Sequence, residues 1–263
     1  MRKITILLIV LLAALVTFDG TSATRSRKKK RYKPRTHRVV RKRPMPRLSV
    51  HDINPFVACE DTCHHVHGID ISHYQNDVFW QAIGDHTNMA YVYLKATEGG
   101  DNIDPRYENN IELAHSYGIK VGSYHYFRPT VSLESQLKNF KTQCLPAEQD
   151  LIPMIDVETT GNLTNRAFCD SLTRFLLLME DTYHQKPLVY TYRNFYNTHL
   201  VGQLDNYQLM VAMYADEQPV LADGRDYTLW QYTCKGRIQG VSGAVDKSRV
   251  MGDHSLREIF FHH

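Results

Sequence analysis

The segment Leu151-Ile152-Pro153-Met154-Ile155-Asp156-Val157-Glu158 is apolar until it ends in two carboxylates separated by one valine. In an extended strand successive side chains alternate sides, so Asp156 and Glu158 share a face, about 6.5–7 Å apart along the backbone. Neighbouring carboxylates repel and raise a pKa. A carboxylic acid that keeps its proton near neutrality is what general acid catalysis needs. Acids at strand ends are commonly just solvated, so the pair gains weight from its companions. Asp70 lies in "GIDIS", Glu98 ends "AYVYLKATE", and Asp246 lies in "GAVDKS". Five carboxylates gathered at one opening would be destabilising unless used, either for chemistry or to hold a cation.

Aromatic and polar residues recur beside these acids. "GSYHYF" supplies Tyr124, His125 and Tyr126; "VYTY" supplies Tyr190 and Tyr192; "LWQY" supplies Trp230, Gln231 and Tyr232. Flat aromatic faces flanked by hydrogen-bonding groups suit sugar rings, which are apolar on their C–H faces and polar at their hydroxyls. Alternation sends only one face of each strand inward, so half of these residues belong to the core. His125 reads as a hydrogen-bonded structural residue.

The elements that must position these groups are legible as short β-branched and aromatic runs. They fall at 67–72, 90–98, 120–127, 151–158, 187–192, 209–214, 227–233 and 243–248. Helical patterns separate the first five. The pattern over 104–118 has Pro105 near its start and Gly118 at its end, the punctuation expected of a helix. The longest amphipathic pattern covers 165–185, with Thr164 as its cap. The last three strands are too closely spaced for full helices between them. Eight strands with early β-α alternation point to an α/β fold, a TIM-like β/α barrel closed less regularly in its final third. In such a barrel catalytic groups sit at the C-terminal ends of strands.

Taken together, "HGIDISHYQ", "YLKATEG", "GSYHYFRP", "MIDVE", "LVYT", "LWQY" and "GAVDKS" resemble the glycoside hydrolase family 25 lysozymes, the N-acetylmuramidases. The resemblance covers about residues 67–250. It implies an irregular TIM-like barrel of five β/α units followed by three strands. It implies hydrolysis of the β-1,4 bond between N-acetylmuramic acid and N-acetylglucosamine in peptidoglycan. Carried onto this sequence, the family's D-x-E acid is Glu158, with Asp156 stabilising the anomeric centre or the substrate's own acetamido group. Asp70 and Asp246 match the family's first- and last-strand aspartates. Glu98, Tyr126, Tyr190, Trp230 and Gln231 are the expected sugar-binding residues. No metal or other cofactor is required, and a monomer is expected.

Charge divides the chain. Residues 1–47 hold 15 of the 31 Lys+Arg and one of the 28 acids, leaving the remainder at net −11. Met1-Arg2-Lys3 precedes an apolar run of 13 residues, too short for a comfortable membrane span but right for a secretory signal. Thr21-Ser22-Ala23 offers small residues for cleavage, so residues 1–23 read as a signal peptide and the product as secreted, periplasmic or envelope-associated. Residues 24–66 read as a basic, disordered arm and linker before a catalytic barrel over 67–263. The arm is either a plain solvated linker or a tether to anionic surface polymers. It would also attract nucleic acid, but an exported chain seldom meets any. Five cysteines in an exported chain allow two disulfides and one free thiol. Cys59, Cys63, His64, His65 and His67 cluster, but no second ligand pair of zinc spacing follows. Asn162-Leu163-Thr164 is a formal glycosylation site directly after the acid pair, where a glycan would obstruct the groove. An unused site suits a bacterial origin.

Two other readings compete. A chitinase-like barrel also ends a strand in D-x-E, but its signature has further aspartates at positions matching Leu151 and Met154. A non-catalytic wall- or polyanion-binding protein would leave the barrel as scaffold; removal of residues 24–47 would then abolish its activity, whereas an enzyme would still hydrolyse soluble wall fragments.

Overall fold

The computed structural model describes residues 65–263. The segment read as a signal peptide, the basic arm, Cys59, Cys63 and His64 lie outside the described residues.

Among the described residues, nine strands form one sheet. They are β1 (His67–Ile71), β2 (Met89–Glu98), β3 (Asn102–Ile103), β4 (Lys120–Tyr126), β5 (Met154–Asp156), β6 (Leu188–Tyr192), β7 (Leu209–Ala212), β8 (Leu229–Gly236) and β9 (Val245–Val250). Eight of them close a barrel, because β1 pairs with both β2 and β9. The two-residue β3 is an antiparallel appendage of β2. From β1 to β8 the barrel strands run parallel, whereas β9 is antiparallel to both neighbours. The mixed α/β barrel read from the sequence is therefore what forms, with its irregularity concentrated in the last strand.

Helices lie among the early strands: α1 (Trp80–His86), α2 (Tyr107–Ser116), α3 (Leu133–Lys141) and α4 (Asn165–Tyr183). In α4, Phe168, Leu172, Phe175, Leu176 and Met179 are buried, an i, i+4, i+7, i+8, i+11 stripe against the barrel. Thr164 caps α4 by accepting the Ala167 N–H at 3.3 Å, and His184 ends it in a left-handed conformation, φ 55°. The 104–118 pattern yields a shorter helix, because Asp104 Oδ1 takes the Arg106 N–H and spends the first residues on a turn. After β6 a short helical segment over 193–200 replaces a full helix.

Apolar alternation sorts the barrel interior from its coat. On β2, Val92, Leu94 and Ala96 pack outward, while Tyr91, Tyr93 and Lys95 climb the interior. The two tyrosine rings have room because their neighbours are glycines. A Cβ on Gly68 would lie 2.1 Å from the Tyr91 ring, and one on Gly122 2.3 Å from the Tyr93 ring. The rings fill the barrel floor, with Tyr91 bonded to Ser248 Oγ at 2.8 Å and Tyr93 donating to the Ile152 carbonyl at 3.2 Å.

The segment expected as a strand over 151–158 pairs regularly only over 154–156. Pro153 has no N–H to give a ladder, and Leu151 bridges to Phe260 instead. Glu158 thus lies just beyond the strand end, although the Val157 N–H still bonds the Tyr190 carbonyl at 2.9 Å. Cys144, Cys169 and Cys234 are free thiols, so the disulfides that an even pairing would allow do not form among the described residues.

Candidate active site

A cleft of about 190 Å³ opens at the C-terminal end of the parallel strands. Asp70, Asp156, Glu158 and Asp246 all line it, together with Lys95. Parallel register explains part of this convergence: Tyr126 pairs with Asp156, and Asp156 with Tyr190, so one row of β4, β5 and β6 carries all three. Asp246 arrives differently. It is the second residue of its strand, but β9 runs antiparallel and its start lies at the same mouth. Asp70 and Asp246 are direct cross-strand partners, a placement that like charges disfavour.

The surroundings hold Asp70 in a fixed pose. Gln231 Nε2 donates to Asp70 Oδ2 at 2.6 Å, and Gln231 Oε1 accepts the Tyr190 and Tyr214 hydroxyls, each at 2.9 Å. Both ends of the Gln231 amide are therefore occupied by protein groups. Tyr126 donates to Glu158 Oε2 at 3.4 Å. The other oxygens of Asp70 and Asp156, both Oδ1, are buried without a hydrogen-bond partner. Buried acceptors are ordinarily satisfied, so two free ones at a cleft are positioned for groups that a ligand would bring.

Burial dominates the electrostatics. It pushes Asp70 up to about 8, helped by the Asp246 charge and opposed by the Gln231 hydrogen bond. Asp246 rises to about 6 through burial and the Glu158 charge. Asp156 is pushed well above the carboxylate range by burial and then by the Glu158 charge, with Lys95 pulling the other way. Burial also raises Glu158, against hydrogen bonds from Tyr126, Asp156 and Tyr192. The sequence suggests that the Asp156 charge raises Glu158. Instead the dry site raises both, and the contact between them helps Glu158 ionise. Both carboxyls are thus held toward the protonated form, and Glu158 is the more exposed of the two.

The other expected residues fall in several places. Tyr126, Tyr190 and Gln231 line the cleft. Glu98 does not: it lines a neighbouring pocket with Arg128. Lys95 donates to it at 2.7 Å and Arg128 Nε at 3.0 Å. Burial alone would raise Glu98, but these two cations outweigh it and hold the carboxyl below its usual value. Trp230 is also absent from the cleft. It sits beside Gln231, and strand alternation turns it to the outer face, where it is 2 % exposed. There its indole N–H bonds the Met213 carbonyl at 2.9 Å and the Arg249 guanidinium covers its ring at 4.7 Å.

His125 is structural, as read. Its Nε2–H goes to Gln136 Oε1 at 3.1 Å, so Nδ1 accepts the Thr97 hydroxyl at 2.7 Å. Gln136 also bonds Arg128 N–H and C=O, fixing the loop after β4. Sequence reasoning missed Lys95, Tyr74 and Tyr214 as lining groups. A lysine within an apolar strand was a usable signal for the first; Tyr74 lies in the short 3-10 turn His73–Gln75, and Tyr214, inside the 209–214 run, falls just past the end of β7 at Ala212. Among the described residues no three His, Cys, Asp or Glu side chains are arranged to hold a metal ion.

Comparison with known proteins agrees with this architecture. Residues 69–241 match the profile of Glycosyl hydrolases family 25. Protein YegX of Escherichia coli K12 is 31% identical over 185 residues, covering 69% of this chain and 68% of that protein. Lysozyme M1 of Streptomyces globisporus is 29% identical over 201 residues, 71% of this chain and 68% of its own. The crystal structure of a lysozyme from Streptomyces coelicolor superposes with a TM-score of 0.68 at 28% identity, covering 75% of this chain and 96% of that one. With matching sequence profile, barrel and acid-lined cleft, the chain is a glycoside hydrolase and belongs to glycosyl hydrolase family 25.

Proposed function

We propose that the chain is a lysozyme that cleaves the β-1,4 bond between N-acetylmuramic acid and N-acetylglucosamine in peptidoglycan. The observation that carries this reading is the Asp156–Glu158 pair, raised in pKa at the mouth of the family 25 barrel. Glu158, the member nearer solvent, protonates the glycosidic oxygen as the bond to the anomeric carbon breaks. The aglycone departs with that proton, and positive charge develops on the sugar. Asp156 faces this charge, or orients the substrate's acetamido oxygen to meet it as an internal nucleophile. Its free Oδ1 is an acceptor suited to the acetamido N–H. Water then gives a proton to the Glu158 carboxylate, restoring the acid, as its oxygen bonds the anomeric carbon and leaves a reducing end. Asp70, fixed by Gln231, and Asp246 hold the sugar and the pair in register. Tyr126 and Tyr190 border the sugar. Peptidoglycan glycan strands are the partner, the protein works as a monomer outside the cytoplasm, and residues 24–47 attract it to anionic surface polymers.

The test is digestion of purified peptidoglycan by wild type and Glu158→Gln, with identification of the new reducing ends. Wild type should release N-acetylmuramic acid ends, and Glu158→Gln should lose at least about 100-fold in rate. Reducing N-acetylglucosamine ends would assign the wrong bond. An unimpaired Glu158→Gln enzyme would remove the proposed acid.

A further inference from the structure

We propose that Tyr74 is a sugar-binding platform at the cleft entrance, taking the apolar C–H face of a pyranose ring adjacent to the bond cleaved. This rests on the reading of the cleft as a glycan site. Tyr74 lines the cleft with the acids and yet is 75 % exposed. A ring this exposed is normally mobile, but here its turn is fastened at several points. Ser72 accepts the Tyr74 N–H at 3.3 Å, while Gln75 accepts the Ser72 N–H at 2.9 Å. Gln75 Nε2 also reaches the Ala244 carbonyl at 3.4 Å. His73 is held twice by Asp104 Oδ2, through its backbone N–H at 2.9 Å and through Nδ1 at 2.8 Å. The His73 ring lies 4.1 Å from the Tyr74 ring, tilted by 36°, and so supports one side of it.

The turn follows β1, which carries Asp70, and is tied to the residues just before β9, which carries Asp246. Tyr74 is therefore placed relative to the acids by the same strands that place the acids. An aromatic ring ordered before binding loses little entropy when a ligand covers it. A sugar ring offers the matching surface, an apolar face with hydroxyls at its edge. Tyr126, Tyr190 and Tyr214 also line the cleft, but their hydroxyls are engaged by Glu158 and Gln231. Tyr214 is exposed as well but is tied by its hydroxyl to Gln231, and Tyr74 is the most exposed of the four, so it offers the broadest ring face.

The experiment compares wild type, Tyr74→Phe and Tyr74→Ala on solubilised glycan strands, with binding read separately in the Glu158→Gln background. Tyr74→Phe should keep KM near wild type. Tyr74→Ala should raise KM about fivefold, the loss of about 1 kcal/mol of ring contact, with kcat little changed. Affinity of the Glu158→Gln/Tyr74→Ala protein for the same strands should fall by the same factor. Equal affinity with and without the ring overturns the inference, as does a Tyr74→Phe variant as weak as Tyr74→Ala, which would assign the contact to the hydroxyl. Failure of the muramidase reading shows instead as absence of cleavage by wild type, which the binding measurement does not depend on.

Discussion

Asp70→Asn should stabilise the protein, and more so as pH rises. An unfolded aspartate ionises near 3.8, whereas burial and the Asp246 charge lift the native group to about 8. Between those values the native state holds a proton that the unfolded state has released, so stability falls as pH increases. A tenfold difference in proton affinity is worth about 1.4 kcal/mol, which makes the full penalty roughly 6 kcal/mol at the upper end of the window. Between about pH 5 and pH 8 the penalty grows by about 4 kcal/mol. The Asn variant is neutral throughout and escapes it. A gain of about 4 kcal/mol corresponds to roughly 8–16 °C in Tm for a domain of this size. Thermal denaturation of both proteins at several pH values reads the difference directly, whatever happens to activity. If the Tm gap between Asp70→Asn and wild type stays constant or shrinks from pH 5 to pH 8, Asp70 is ionised in the folded protein. The view of the cleft as a dry, proton-holding cluster would then fail. If the gap widens, these acids are kept at a cost in stability, as functional groups often are.

His125 works in the opposite direction: burial depresses it from 6.5 to about 4, so stability present above pH 6.5 should be lost as pH falls to 4, by about 3 kcal/mol. A flatter acid limb in the denaturation profile of His125→Gln would confirm this. Lys95→Met removes a cation that favours ionisation of both Asp156 and Glu158; the alkaline limb of kcat/KM should move to higher pH, and an unmoved limb would discount Lys95 as a tuning charge. Gly68→Ala drives a methyl into the Tyr91 ring, 2.1 Å from the nearest carbon, and should cost about 2 kcal/mol or more in chemical denaturation.

Much of the site was legible because alternation and strand ends leave a record in the chain. The acids Asp70, Asp156 and Glu158 follow apolar runs at the places where parallel strands finish, and their convergence follows once those strands close. Helix α4 was equally plain, since its cap and apolar stripe are local. The helix over 133–141 was not singled out, its face toward the barrel being carried by polar residues such as Gln136 and Asn139.

What the sequence by itself determined was residue chemistry, period and order: which strands exist, which acids end them, and which side chains of a strand share a face. Only the tertiary structure decided the rest. It turned Trp230 outward, drew Glu98 into an ion pair with Lys95 and Arg128 beside the cleft, and brought Asp246 to the mouth through a reversed strand. The reason is that period is set by each residue's own backbone, whereas partners, burial and strand direction are set by groups distant in the chain. The proton affinity of an acid depends on those distant groups, and no single segment contains them.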